Sequence, residues 1–213
     1  MTAIAPRRSL NELVTRYWTM MSKVYNFPFV QRHVYSPAQD DTIRQLREHN
    51  AQRIVDIACG TGILASRIQA ELSPASVFGV DMSDGMLAKA RARSTEVHWK
   101  KAPAEQLPFG DGTLDAVVTT SAFHFFDQPA ALAEFYRVLA PGGMASVATI
   151  CPKERRWLRR GTGERGPAHF PTAGEMERLF SRAGFDVVVH RPVARPITPP
   201  LISVDWICVG LKT

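Results

Sequence analysis

The chain has 213 residues, 45% of them hydrophobic and 22% charged, with a net charge of +6 at neutral pH. That length allows one domain with a full core, and the composition is that of a globular protein. No apolar run approaches the roughly 20 residues that span a bilayer, and Arg7 and Arg8 are followed by no apolar stretch of signal-peptide type. Cys59, Cys151 and Cys208 are odd in number and far apart. They suit a reducing cytoplasm rather than a disulfide framework, and no Cys/His spacing matches a zinc site or another metal centre. The charge is uneven: net +3 over residues 1–50, −2 over 51–150 and +5 over 151–213. A basic surplus in the flanking segments either attracts phosphate, anionic lipid or an acidic carrier protein, or is a solubilising surface.

In chain order, residues 9–35 carry an apolar stripe (Leu10, Leu13, Val14, Tyr17, Met20, Met21, Val24) at helical spacing, broken at Asn26-Phe27-Pro28. Pro37 then opens a helix toward Glu48. Next come strand 54–58, helix 62–72, strand 77–81, and helix 84–93 with Ser83 or Asp84 as N-cap. Strand 96–100 precedes the loop 102–109; strand 114–119 leads to a helix near 128–139. Pro141-Gly142-Gly143 reads as a tight turn feeding strand 144–150. Residues 151–171 form a basic connector with Arg155, Arg156, Arg159 and Arg160 around Trp157-Leu158. Thr172 and Glu175 make a capping box for a helix closed by Gly184. Strand 185–190, a Pro-rich bend and a last strand at 202–209 read as an antiparallel hairpin at the sheet edge. Strand–helix alternation with short connections implies a parallel sheet covered on both faces. The expected organisation is one domain over 1–213: an N-terminal helical lid (1–50), a core (51–150), the connector (151–171), and the last helix and hairpin (172–213).

The most informative stretch is Asp56-Ile57-Ala58-Cys59-Gly60-Thr61-Gly62, behind the apolar Ile54-Val55. Small residues let a backbone approach a ligand closely. A second apolar strand ends in Asp81, 21 residues after Gly60, where a carboxylate can hold both hydroxyls of a ribose. This is a nucleoside-binding crevice. Ala65 stands three residues after Gly62, a position that some dinucleotide enzymes also accept, so the spacing alone leaves NAD open.

Four motifs settle the resemblance: Val55–Gly62; Gly79–Leu87; Ala104–Phe109 with Leu114–Val118; and Glu134–Gly143. Together they resemble the class I S-adenosylmethionine-dependent methyltransferases, in the small-molecule branch that includes ubiquinone/menaquinone, malonyl-carrier and phospholipid N-methyltransferases. The resemblance spans residues 54–150. It implies a Rossmann-like α/β fold, with a seven-stranded, mostly parallel sheet, helices on both faces, an antiparallel C-terminal hairpin and an N-terminal helical lid. It implies S-adenosyl-L-methionine as cofactor. Asp56 would reach the cofactor's ammonium group; Ala58, Gly60 and Gly62 would form the turn against it, Ala58 standing where many members have glycine. Asp81 would grip the ribose, Met82 pack on the adenine, Ala104 and Glu105 meet the adenine edge, and Thr120 and Ser121 approach the amino acid end.

His124, just past the fourth strand, is the candidate catalytic base; the other reading is a histidine that only roofs the cofactor. Glu134 and Arg137 read as a surface pair. The acceptor is expected to be a small or lipophilic molecule with an O, N or activated C nucleophile. The N-terminal helices supply its wall, with Tyr17, Tyr25, Met20, Met21, Phe27 and Phe29 as lining candidates. Nucleic acid is disfavoured, since no base-methylating motif follows strand four. Peripheral membrane contact through the basic connector stays open, as does oligomeric state. A non-catalytic protein that binds the cofactor or its demethylated product is the second reading.

Overall fold

The structure is a computed structural model, and it describes residues 35–151, 168–193 and 205–213. The helices expected over 9–35, most of the basic connector and the Pro-rich bend lie outside the described residues. So do the lining candidates Tyr17, Met20, Met21, Tyr25, Phe27 and Phe29.

Helix α1 (Ser36–His49) starts at the expected punctuation, with Pro37 in its first turn. Then come β1 (Arg53–Ile57), α2 (Ile63–Leu72), β2 (Ser76–Asp81), α3 (Asp84–Arg93), β3 (His98–Lys101) and β4 (Leu114–Thr120). A 3-10 turn (Phe123–Phe125) leads to α4 (Gln128–Val138), β5 (Leu139–Ile150), α5 (Ala173–Arg182), β6 (Phe185–Pro192) and β7 (Asp205–Lys212). The strands form one seven-stranded sheet in the order β3-β2-β1-β4-β5-β7-β6. Strand β7 runs antiparallel to both neighbours, and the other pairings are parallel. The closing pair is antiparallel as expected, but β7 is inserted beside β5, so β6 is the edge.

Local chemistry accounts for the ends of the elements. Ser83 caps α3 by accepting from Met86 N–H at 3.2 Å. The capping box on α5 is complete: Thr172 Oγ1 accepts from Glu175 N–H, and Glu175 Oε2 accepts from Thr172 N–H. Two boundaries differ from the sequence reading. The last strand runs to Lys212 rather than ending at 209, because its ladder with β5 continues to Leu211 opposite Met144, and the expected residues 202–204 lie outside the described residues. Pro141–Gly143 lies inside β5 as a bulge: β4 pairs Leu114 with Leu139, then Ala116 with Met144.

Alternation along β1 sends Val55 and Ile57 to one face and Ile54 to the other. The first face packs on Phe123, Phe135 and Phe180; the second packs on Leu64 and Ile68 of α2 and Ile43 of α1. The three cysteines are free and buried. Among the described residues no helix is long and apolar enough to cross a membrane.

Candidate active site

The cavity opens at the C-terminal ends of the strands. It sits where the chain order reverses: β1 leads outward to β2 on one side, and β4 returns on the other. Of the expected site residues, Ala58, Gly60, Asp81, Met82, Ala104, Glu105, Thr120 and Ser121 all line it. Asp56, Gly62 and His124 do not.

The loop after β1 is tied on three sides. Cys59 N–H donates to Val80 O, Gly62 N–H to Cys59 O, and Arg93 Nε to Thr61 O. Gly60 and Gly62 have φ of +56° and +78°. A Cβ on Gly60 would meet nothing within 4 Å, whereas one on Gly62 would stand 2.5 Å from the Trp99 ring. Gly60 therefore leaves room toward the cavity, and Gly62 leaves room for Trp99 beneath the loop. Ala58 reaches φ +54° without glycine's freedom, a strained backbone at the cavity wall.

Asp81 ends β2. One carboxylate oxygen accepts from Gly60 N–H at 2.9 Å and the other from Ser83 N–H at 2.8 Å. Burial holds its pKa above the usual range, opposed by these backbone donors. Asp56 is 2% exposed and lies on the α2 face of β1. The backbone N–H of Ala65, in the first turn of α2, bonds its carboxylate, while Oδ2 is buried without a partner. Burial first and Asp81 second push its pKa well above the carboxylate range. Glu105 Oε1 accepts from Asp127 N–H at 2.8 Å, which ties the 104–109 loop to the start of α4.

His124 is one layer back. It is 5% exposed, stacks on Phe170 at 4.5 Å, and has Nδ1 3.3 Å from Thr149 Oγ1. Burial lowers its pKa to about 4, so it is neutral at physiological pH.

Glu134 and Arg137 do more than pair on a surface. Arg137 binds Glu134, Asp111 and the carbonyls of Phe109 and Leu107, and Glu134 Oε1 accepts from Leu107 N–H at 2.6 Å. Together they brace the loop that carries Ala104 and Glu105. Sequence reasoning missed Tyr35, Phe125 and Phe126, which line the opposite end of the cavity. Phe125 and Phe126 adjoin His124 in one turn, a local signal; nothing local marks Tyr35.

This strand order, with one reversed strand and a carboxylate at the tip of β2, is that of a Rossmann-like methyltransferase fold. Residues 54–143 match the family model of a methyltransferase domain. Demethylmenaquinone methyltransferase of Thermus thermophilus is 44% identical over 110 residues, covering 49% of this chain and 50% of that protein. Malonyl-[acyl-carrier protein] O-methyltransferase of Dechloromonas aromatica is 30% identical over 139 residues, covering 63% and 52%. The chain thus spans about half the length of the curated relatives it matches. In fold it is similar to magnesium protoporphyrin IX methyltransferase of Synechocystis PCC 6803, solved with bound S-adenosylmethionine. The TM-score is 0.70 at 15% identity, over 100% of each chain.

Proposed function

We propose that this chain is an S-adenosylmethionine-dependent methyltransferase acting on a small or lipophilic acceptor. The observation that carries the reading is the charge of the cavity. Its described wall holds Asp81 and Glu105 and no lysine, arginine or histidine. A pyrophosphate would meet no cation among the described wall residues, whereas a cofactor bearing a sulfonium and an ammonium suits them. Asp56, with a buried orphan oxygen, fits the same positive ligand.

When bound, the cofactor supplies an electrophilic methyl group on a good leaving group. The protein's part is to align and to exclude water. Asp81 would hold the ribose hydroxyls, Met82 the adenine face, and Ala104 and Glu105 its edge. Ala58, Gly60 and Gly62 would shape the turn, with Asp56 toward the ammonium and Thr120 and Ser121 above it. His124 as general base is tested by His124→Gln: a fall in kcat of about 100-fold with unchanged cofactor affinity supports it, and an unchanged kcat makes it a packing residue behind the cavity. The names of the relatives support quinone-like and carrier-bound acceptors as first trials. Three free, buried cysteines suit a cytoplasmic setting.

The test is calorimetric titration with S-adenosylmethionine, S-adenosylhomocysteine and NAD in parallel, followed by an acceptor screen. Micromolar binding of the first two alone supports the cofactor; NAD binding overturns it. Binding without turnover on any acceptor, with a second protein co-purifying, points to the non-catalytic role.

A further inference from the structure

Trp99 belongs to the edge strand β3, yet its ring reaches the loop after β1. In the ladder between β2 and β3 it stands beside Gly79. A Cβ on Gly79 would lie 2.3 Å from Cζ3 and 2.4 Å from Cε3 of the indole, and 3.1 Å from Cys59 Sγ. The ring therefore crosses the bare backbone of Gly79. Its far corner, Cη2, ends beneath Gly62, where a Cβ would stand 2.5 Å from it and 3.0 Å from the Ala90 Cβ. The indole Nε1 donates to Ser94 O at 3.0 Å, which fixes the direction of the ring. Gly62 is the N-cap of α2 and gives the helix start no side-chain bond. The turn is instead held from beneath by the indole and by Arg93 Nε, which donates to Thr61 O at 2.8 Å. Its other side faces the cavity: Gly60 N–H donates to Asp81 at 2.9 Å, and a Cβ on Gly60 would meet nothing within 4 Å.

We infer that Trp99 is a positioning residue for the cofactor, a wedge that holds residues 58–62 in their binding shape from the side away from the cavity. This rests on the S-adenosylmethionine reading of the same site. Trp99 is not among the residues that line the cavity, so it acts through the loop and not by touching a ligand. A loop of glycine and alanine has much conformational freedom to lose when a ligand binds. A rigid aromatic plate packed against it removes part of that loss beforehand. Leucine in place of the indole leaves space under Gly62 and Gly79 into which the turn can sink. Affinity for the cofactor then falls although no contact with it has been removed.

The experiment titrates S-adenosylhomocysteine calorimetrically into the full chain and its variants, each shown to be folded by circular dichroism, with urea unfolding alongside. Trp99→Leu is expected to weaken binding about tenfold, and Trp99→Phe, which keeps a ring, about threefold or less. Gly79→Ala pushes the ring aside without removing it and should weaken binding about three- to tenfold, a second route if Trp99→Leu does not fold. In Gly79→Ala/Trp99→Leu the clash is gone, so stability should recover in part while affinity stays low. A role in packing alone would not separate the two. Phe180→Leu, in the core on the opposite face of the sheet, should lower stability and leave affinity unchanged. Unchanged affinity in Trp99→Leu or Gly79→Ala overturns the inference. So does an affinity that recovers with stability in the double variant, or a loss in Phe180→Leu as large as that in Trp99→Leu. Failure of the unsubstituted chain to bind S-adenosylhomocysteine is a separate result, and it overturns the cofactor reading together with this one.

Discussion

The contact between Asp41 and Arg191 joins residues 150 apart and clamps α1 to the edge strand β6. Both guanidinium nitrogens lie 2.7 Å from the two carboxylate oxygens, a bidentate pair. Breaking a fully buried pair costs about 3–5 kcal/mol, and an exposed pair is worth about 0.2–1 kcal/mol. Here the Asp41 side chain is 4% exposed and that of Arg191 38%, so about 1.5–2.5 kcal/mol of coupling is expected between those limits. Arg44 also binds Asp41, but its side chain is 51% exposed, and it should couple by less than about 0.7 kcal/mol. The assay is urea unfolding of Asp41→Asn, Arg191→Met and the double variant, with an Arg44→Ala cycle as control. Because Tyr35 immediately precedes α1, loss of the clamp should also weaken ligand binding at the far end of the cavity. A coupling below about 0.5 kcal/mol, or an Arg44 coupling as large as that of Arg191, would refute the reasoning.

Asp81→Ala should weaken S-adenosylmethionine binding by about 1.5–3 kcal/mol through loss of charge-assisted bonds; calorimetry showing an unchanged Kd removes the ribose assignment. Ala58→Gly relieves a left-handed backbone and should stabilise the protein by about 0.5–1 kcal/mol in urea titration; destabilisation would mean that the φ of +54° carries no strain. Gly79→Ala would set a Cβ 2.3 Å from the Trp99 ring and should cost at least about 1–3 kcal/mol, with partial recovery in Gly79→Ala/Trp99→Leu; no recovery would show that the ring is not the obstacle. His124 has a folded pKa of about 4 against an ordinary 6.5, so the unfolded chain takes up the proton first as pH falls. Stability is full above pH 6.5 and declines toward pH 4, by about 3 kcal/mol in total. His124→Gln should flatten that part of the pH–stability curve, and an unchanged curve would mean that the imidazole is not held neutral by burial.

The Asp81 end of the cavity was readable because its signals are local. The Asp56–Gly62 turn, Asp81 at a strand tip, the Ser83 cap and the Thr172–Glu175 box each depend on residues within a few positions of one another. The Tyr35 end depends on distant packing. Tyr35 reaches the cavity because α1 lies against the sheet, held by an ion pair across most of the chain. Glu134 and Arg137, spaced i and i+3 on a helix, look like any surface pair; only the folded loop at 107–111 makes them a brace.

Strain follows the same division. Among the described residues, four non-glycine positions have positive φ: Asn50, Ala58, Ser73 and Ser121. Asn50 and Ser73 are helix C-caps, where a left-handed residue is ordinary. Ala58 and Ser121 are different: each follows directly on a central strand, β1 or β4, at the point where the chain order reverses. Each turn stays pinned to a neighbouring strand, through Cys59 N–H to Val80 O at 3.0 Å and Ser121 N–H to Ala148 O at 2.8 Å. Left-handed geometry bends the backbone out of the ladder within one residue, so both segments line the cavity instead of extending the sheet. Glycine would reach these angles without strain, but it would also loosen the turn before a ligand arrives. A side chain at both positions keeps the two walls of the crevice preformed, at a cost the pinned strands on either side are able to hold.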